Sequence, residues 1–106
     1  MGLWNLCRQP DFSQGIKDYK NAPGAVLLDV RSPREYKGGH VPGSTNVPLH
    51  SIEKVDSVAR SKDIPLFVYC HSGARSREAV SALKDMGYVN VKNIGGIAAY
   101  RGRVVK

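Results

Sequence analysis

Two stretches of the chain are apolar at nearly every position, Ala25-Val26-Leu27-Leu28-Asp29-Val30 and Pro65-Leu66-Phe67-Val68-Tyr69-Cys70. Continuous apolar runs of this length, bounded by turn residues, mark strands covered on both faces, as in a parallel sheet. Around them the apolar positions fall at helical spacing. Asp11-Phe12-Ser13 opens a short helix through about Tyr19, and Asn21-Ala22-Pro23-Gly24 is turn chemistry. Ser32-Pro33-Arg34-Glu35 starts a second helix, with Ser32 as cap and Pro33 at its first position, and Gly38-Gly39 ends it. Thr45-Asn46-Val47 reads as a brief strand. Leu49, Ile52, Val55, Val58 and Ala59 share one face of a helix over 49–60. From Ser76 to Met86 a further helix carries Ala79, Val80, Leu83 and Met86 as an inward stripe, stopped by Gly87. Val89 to Ile94 is a third clear strand, and Gly95-Gly96-Ile97-Ala98-Ala99-Tyr100 starts a last short helix. Strands alternating with helices predict an α/β layer with a mainly parallel sheet.

A chain of 106 residues suits one domain, residues 1–106, and its 42% hydrophobic content excludes disorder. The net charge of +7 is spread along the chain rather than gathered in an arm or a helix. With no nucleic-acid motif beside it, this charge points to small anionic substrates and acidic protein partners rather than to nucleic acid. No apolar stretch reaches the roughly 20 residues of a membrane span. Met1 to Arg8 lacks the basic and apolar regions of a signal peptide, and Leu6 stands where a myristoylation motif wants Ser or Thr. The expectation is a soluble, cytoplasmic protein with no membrane partner. Cys7 and Cys70 form no Cys-x-x-Cys pair, no disulfide framework and no zinc pattern, and His40 and His50 add no metal-ligand spacing.

Cys70 carries the candidate chemistry. It ends an apolar run, is followed by the polar turn His71-Ser72-Gly73-Ala74-Arg75, and precedes the helix at Ser76. A strand, a tight loop and a helix N-terminus gather backbone N–H groups and positive potential around one point. A thiol there is biased toward thiolate, below the usual cysteine pKa of about 8.5. The carboxyl end of a parallel strand is also where α/β folds place ligands. This favours a nucleophile over a buried structural cysteine. Arg75 brings a forked donor suited to oxyanions. Ser72 and Ser76 can donate to sulfur, Ser76 equally serving as a helix cap, and Gly73 allows a left-handed turn or a close backbone approach. His71 is a neighbour in sequence only, and a cysteine already held as thiolate needs no base.

These residues carry a family resemblance. Asp29-Val30-Arg31, Glu35-Tyr36, Gly39-His40-Val41-Pro42-Gly43-Ser44 and Asn46-Val47-Pro48 resemble the first signature of the single-domain rhodaneses, which are sulfurtransferases. Cys70-His71-Ser72-Gly73-Ala74-Arg75-Ser76 resembles their active-site loop, and Gly95-Gly96 with Tyr100 and Gly102 their closing segment, where Tyr100 stands in place of the usual Trp. The resemblance covers about residues 10–103. It implies a rhodanese-like three-layer sandwich around a central, mainly parallel five-stranded sheet. It also implies an enzyme of thiosulfate sulfurtransferase type. Sulfane sulfur would pass from thiosulfate or a persulfide donor, through a Cys70 persulfide, to a thiol or cyanide. Cys70 would be catalytic, with His71, Ser72, Gly73, Ala74, Arg75 and Ser76 binding substrate and no cofactor or metal required. A persulfide carrier or interaction module serving a sulfur-relay protein partner is the alternative, although modules of the second kind commonly lack the cysteine. Related phosphatases place their arginine six residues after the cysteine. Here it stands five after, a smaller cradle that suits one sulfur atom better than a phosphate.

Overall fold

The structure, a computed structural model, describes residues 11–106. Helix α1 (Phe12–Lys20) begins where the Asp11 carboxylate accepts the Gln14 N–H at 3.2 Å, and it ends with Lys17 and Lys20 against the negative end of its dipole. Strand β1 (Val26–Asp29) follows the Pro23-Gly24 turn. Helix α2 (Pro33–Lys37) is opened by a reciprocal capping box. Glu35 N–H donates to Ser32 Oγ, and Ser32 N–H donates to Glu35 Oε1. Strand β2 (Thr45–Asn46) is brief, and a 3-10 helix, Leu49–Ser57, links it onward. Strand β3 (Leu66–Cys70), helix α3 (Ala74–Asp85), strand β4 (Val91–Gly96) and a short 3-10 turn, Ile97–Ala99, complete the order.

The strands align in the order β2-β1-β3-β4, every neighbouring pair parallel. Alternate residues of the two apolar strands face opposite layers, as the pleat requires. Leu28, Val30, Leu66, Val68 and Cys70 join Val55, Ala59, Ala79, Leu83 and Tyr88 beneath α3 and the long 3-10 helix. Leu27, Phe67 and Tyr69 join Phe12, Ile16, Val41 and Ile94 beneath α1. The result is a three-layer α/β sandwich. At Gly15 an added Cβ would press on the side chain of Ile94, so glycine sets how closely α1 approaches β4.

Three expectations need correction. The sheet has four strands among the described residues, not five. One further pairing, between His40 and Val105, is a single antiparallel bridge that never extends into a ladder. The helix expected over 49–60 is a 3-10 segment. Pro48 offers it no side-chain cap, Ser51 N–H bonds back three residues to the Pro48 carbonyl, and Ser51 leaves helical geometry at φ −123°. The last strand lies two residues later than its apolar pattern suggests. Tyr88 is drawn into the core and Val89 is 76% exposed, so pairing with β3 begins only at Val91 and continues through both glycines.

The end of β1 is fixed by a buried ion pair. Asp29, fully buried, accepts Arg31 Nε at 3.0 Å and Nη2 at 2.6 Å, and Nη2 also donates to the Gly39 carbonyl at 2.8 Å. Asn46 Nδ2 donates to the carbonyls of Asp29 and Arg31, each at 2.9 Å, and so ties the start of β2's exit to the same point. Removing one partner of a buried pair strands the other charge. Asp29→Ala is therefore expected to lower stability by about 3–5 kcal/mol, read from urea denaturation. A loss under about 1 kcal/mol would mean that Arg31 finds water and that the pair does not hold the strand end.

Candidate active site

β3 ends at Cys70, and the chain turns through His71-Ser72-Gly73 into α3. Gly73 takes φ 106°, a left-handed geometry that caps the helix without a side chain. Ser76 is therefore not the cap. It lies inside the first turn of α3, fully buried, with its hydroxyl 3.5 Å from the Cys70 sulfur. The Gly73 N–H donates to that sulfur at 2.9 Å. Burial pushes the Cys70 thiol up. The Ser76 hydroxyl and the backbone N–H groups of Ser76, Gly73 and Ser72 outweigh it, and the balance falls below an ordinary thiol. Cys70 is 1% exposed at the base of the loop, whereas His71, Ser72 and Ala74 form an exposed rim.

The loop is shaped from behind by β4. Cys70 pairs with Gly96 across the sheet, after a bulge that gives β4 an extra residue between Val68 and Tyr69 of β3. A Cβ on Gly96 would lie 2.5 Å from Ser72 Cα and overlap the His71 carbonyl. That carbonyl accepts the Ala98 N–H at 3.1 Å, which fastens the closing segment to the loop. His71 thus contributes its backbone. Among the described residues its ring makes no hydrogen bond.

Arg75 does not stand free. Its Nη1 and Nη2 donate to Glu35 Oε1 and Oε2 at 2.7 and 2.9 Å, a bidentate pair joining α3 to α2. Arg75 and the Ser32 cap together hold the Glu35 carboxyl down to about 2. Beside Arg75, a cleft of about 460 Å³ runs between α3 and the long 3-10 helix over Val30, Leu49 and Ile52. Among the described residues, no three His, Cys, Asp or Glu side chains come together as a metal site, and no helix is long and apolar enough to cross a membrane. Cys7, the cysteine that could resolve a disulfide with Cys70, lies outside the described residues.

Three contributors escaped the sequence reading. Glu35 was visible only as part of a helix start and of the first signature, with no role at the site. Asn93, whose amide lies 2.7 Å from Ser76, stands two residues before the glycine pair. Gly96 was seen as a motif letter without its partner.

The rhodanese-like domain family matches residues 12–103. This chain belongs to that family. It is 38% identical over 71 residues to the thiosulfate sulfurtransferase PspE of Escherichia coli (strain K12), covering 66% of this chain and 68% of PspE. It is 35% identical over 81 residues to the uncharacterized protein YqhL of Bacillus subtilis (strain 168), covering 76% of this chain but 64% of YqhL. It also matches adenylyltransferase and sulfurtransferase uba4 of Ogataea parapolymorpha at 35% identity, over 74% of this chain and only 20% of that much longer protein. Among solved structures, a rhodanese with anions from E. coli superposes with a TM-score of 0.73 at 35% identity, over 77% of this chain and 98% of the other. The rhodanese resemblance is thereby confirmed at the level of family and fold.

Two outcomes follow from the geometry. Gly96→Ala is expected to displace the loop rather than unfold the sheet. Cys70 alkylation at pH 7 should slow several-fold while the urea midpoint moves little, and unchanged alkylation would show that the close approach is dispensable. The Glu35 carboxyl titrates near 2 in the folded protein, against about 4.3 in an unfolded chain. A depressed native value means that its stabilising contribution is complete above that unfolded value and drains away as pH falls toward 2. Stability should decline over that window in the parent protein and decline less in Glu35→Gln, with 1 M salt shrinking the difference because both side chains are over one-third exposed.

Proposed function

We propose that this rhodanese-like chain transfers sulfane sulfur through a persulfide on Cys70. The observation that carries the reading is the convergence of the Ser72, Gly73 and Ser76 N–H groups on one buried sulfur, in a loop with Arg75 at its far end. In the first half-reaction the Cys70 thiolate attacks the outer sulfur of thiosulfate. The sulfur–sulfur bond of the donor breaks, its electron pair leaves with sulfite, and the enzyme keeps an anionic terminal sulfur. A nest of backbone N–H groups is the natural receptor for that charge. In the second half-reaction a thiolate or cyanide attacks the terminal sulfur and returns Cys70 as thiolate. Charge and atoms balance in both steps, and neither requires a metal or an organic cofactor.

Arg75 serves the donor. Two of the five guanidinium N–H donors are committed to Glu35, which sets the plane of the group and leaves three for a sulfonate. Glu35 is thus a positioning residue acting through Arg75. The thiol acceptor, rather than the donor, suits the apolar cleft beside Arg75, whose Val30, Leu49 and Ile52 walls fit an organic body.

A second reading, a persulfide carrier for a partner protein, draws on the match to a segment of the much longer uba4. The exposed rim of His71, Ser72 and Ala74 is open to a docking surface. The two readings share the persulfide and differ in its source.

Intact-mass measurement after incubation with thiosulfate is expected to show one added sulfur. It should be removable by a reducing thiol, absent in Cys70→Ser and unaffected in Cys7→Ser. Loading by a protein persulfide with none from thiosulfate would select the carrier. Hydrolysis of an aryl phosphate, with no persulfide from any donor, would overturn both in favour of phosphatase chemistry.

A further inference from the structure

Behind Cys70 lies a polar cluster that the reaction just described does not use. The Ser76 hydroxyl, fully buried, has one proton and several acceptors around it. Asn93 Oδ1 is nearest at 2.7 Å, then the Gly73 carbonyl at 3.0 Å, with the Gly95 carbonyl at 3.5 Å. The Cys70 sulfur is also 3.5 Å away. The orientation of the Asn93 amide is set by the backbone, because Gly95 N–H donates to Oδ1 at 2.8 Å. Oδ1 is therefore the face presented to Ser76. The Gly73 carbonyl is the weaker competitor, being already engaged by the Arg77 N–H at 3.1 Å.

The geometry points to Asn93 as a positioning residue that holds the Ser76 proton away from Cys70 and releases it when the sulfur becomes anionic. With neutral Cys70, the thiol donates to Ser76 Oγ and Ser76 donates to Asn93. With the thiolate, the Ser76 hydroxyl must rotate and donate to sulfur. Asn93 Oδ1 keeps the Gly95 N–H, so no buried acceptor is left bare. Asn93 thus competes with the thiolate for one hydrogen bond.

The consequence for sulfur transfer rests on the function proposed above. Once a sulfur is loaded, the charge sits on the terminal atom and Cys70 Sγ is a neutral bridging sulfur. The Ser76 proton then returns to Asn93. Asn93 therefore favours the loaded form over the free thiolate, and without it loading from thiosulfate against added sulfite should reach a lower persulfide fraction.

The charged and titratable groups surrounding the sulfur are Arg75 on α3, its partner Glu35 on α2, the Asp29–Arg31 pair at the end of β1, and His71 in the loop. None is altered in the variants that test the idea.

The test is the pH dependence of Cys70 alkylation by iodoacetamide in a Cys7→Ser background, which needs no sulfur donor. Asn93→Ala should lower the midpoint by about half to one pH unit, the scale of one neutral hydrogen bond. Asn93→Asp keeps both acceptor contacts, adds charge, and should raise it. Ser76→Ala should raise the midpoint and abolish the effect of Asn93→Ala in the double variant. A merely structural Asn93 predicts the opposite sign, since a loosened nest stabilises thiolate less. A raised or unchanged midpoint in Asn93→Ala, or the same shift with Ser76 absent, overturns the inference. Midpoints that move as expected in a protein no donor can load would uphold Asn93's role and refute the sulfurtransferase reading instead.

Discussion

The close passage of the chain at His71-Ser72 over Gly96 is the constraint on which the site depends. Without a side chain at Gly96 the loop rests directly on the last strand, and the N–H groups after Cys70 bend inward toward one sulfur. The same contact seats the closing segment, through Ala98, on the loop. Small residues where two backbones meet are a general device for close approach. Here the device shapes the loop around the Cys70 sulfur.

A buried thiol in such a cradle is subject to opposing forces. Loss of water disfavours the thiolate, and directed hydrogen bonds favour it. The loop wins that contest largely with backbone donors, which need no side-chain ordering to face the sulfur. The Ser76 hydroxyl differs from them because it can turn. On the proposed reading, fixed donors and a movable one on the same sulfur would let the site accommodate both a charged and a neutral Sγ.

The second organising contact is electrostatic. Glu35 is held by its own helix start and reaches across to Arg75, so a capping box in α2 fixes the guanidinium at the far end of the Cys70 loop. Other residues of the first signature hold the strand ends. Asp29 and Arg31 neutralise each other in the core, and Asn46 fastens β2 to their carbonyls.

The sequence by itself determined much of this protein. Its two apolar runs define strands covered on both faces, Ser32-Pro33 marks a helix start, and Cys70 followed by a glycine-bearing loop and a helix identifies the candidate nucleophile. These are local properties, written in residues close together along the chain. Tertiary structure alone decided the rest. Whether 49–57 would be α or 3-10 depended on Ser51 and on an uncapped start, and the edges of the last strand depended on Tyr88 entering the core. Arg75 meets Glu35, and Ser76 meets Asn93, across gaps of 40 and 17 residues. No periodicity encodes such pairs. They exist because parallel strands bring their carboxyl ends to one edge, where loops far apart in sequence must share the same few ångströms and satisfy each other's polar groups.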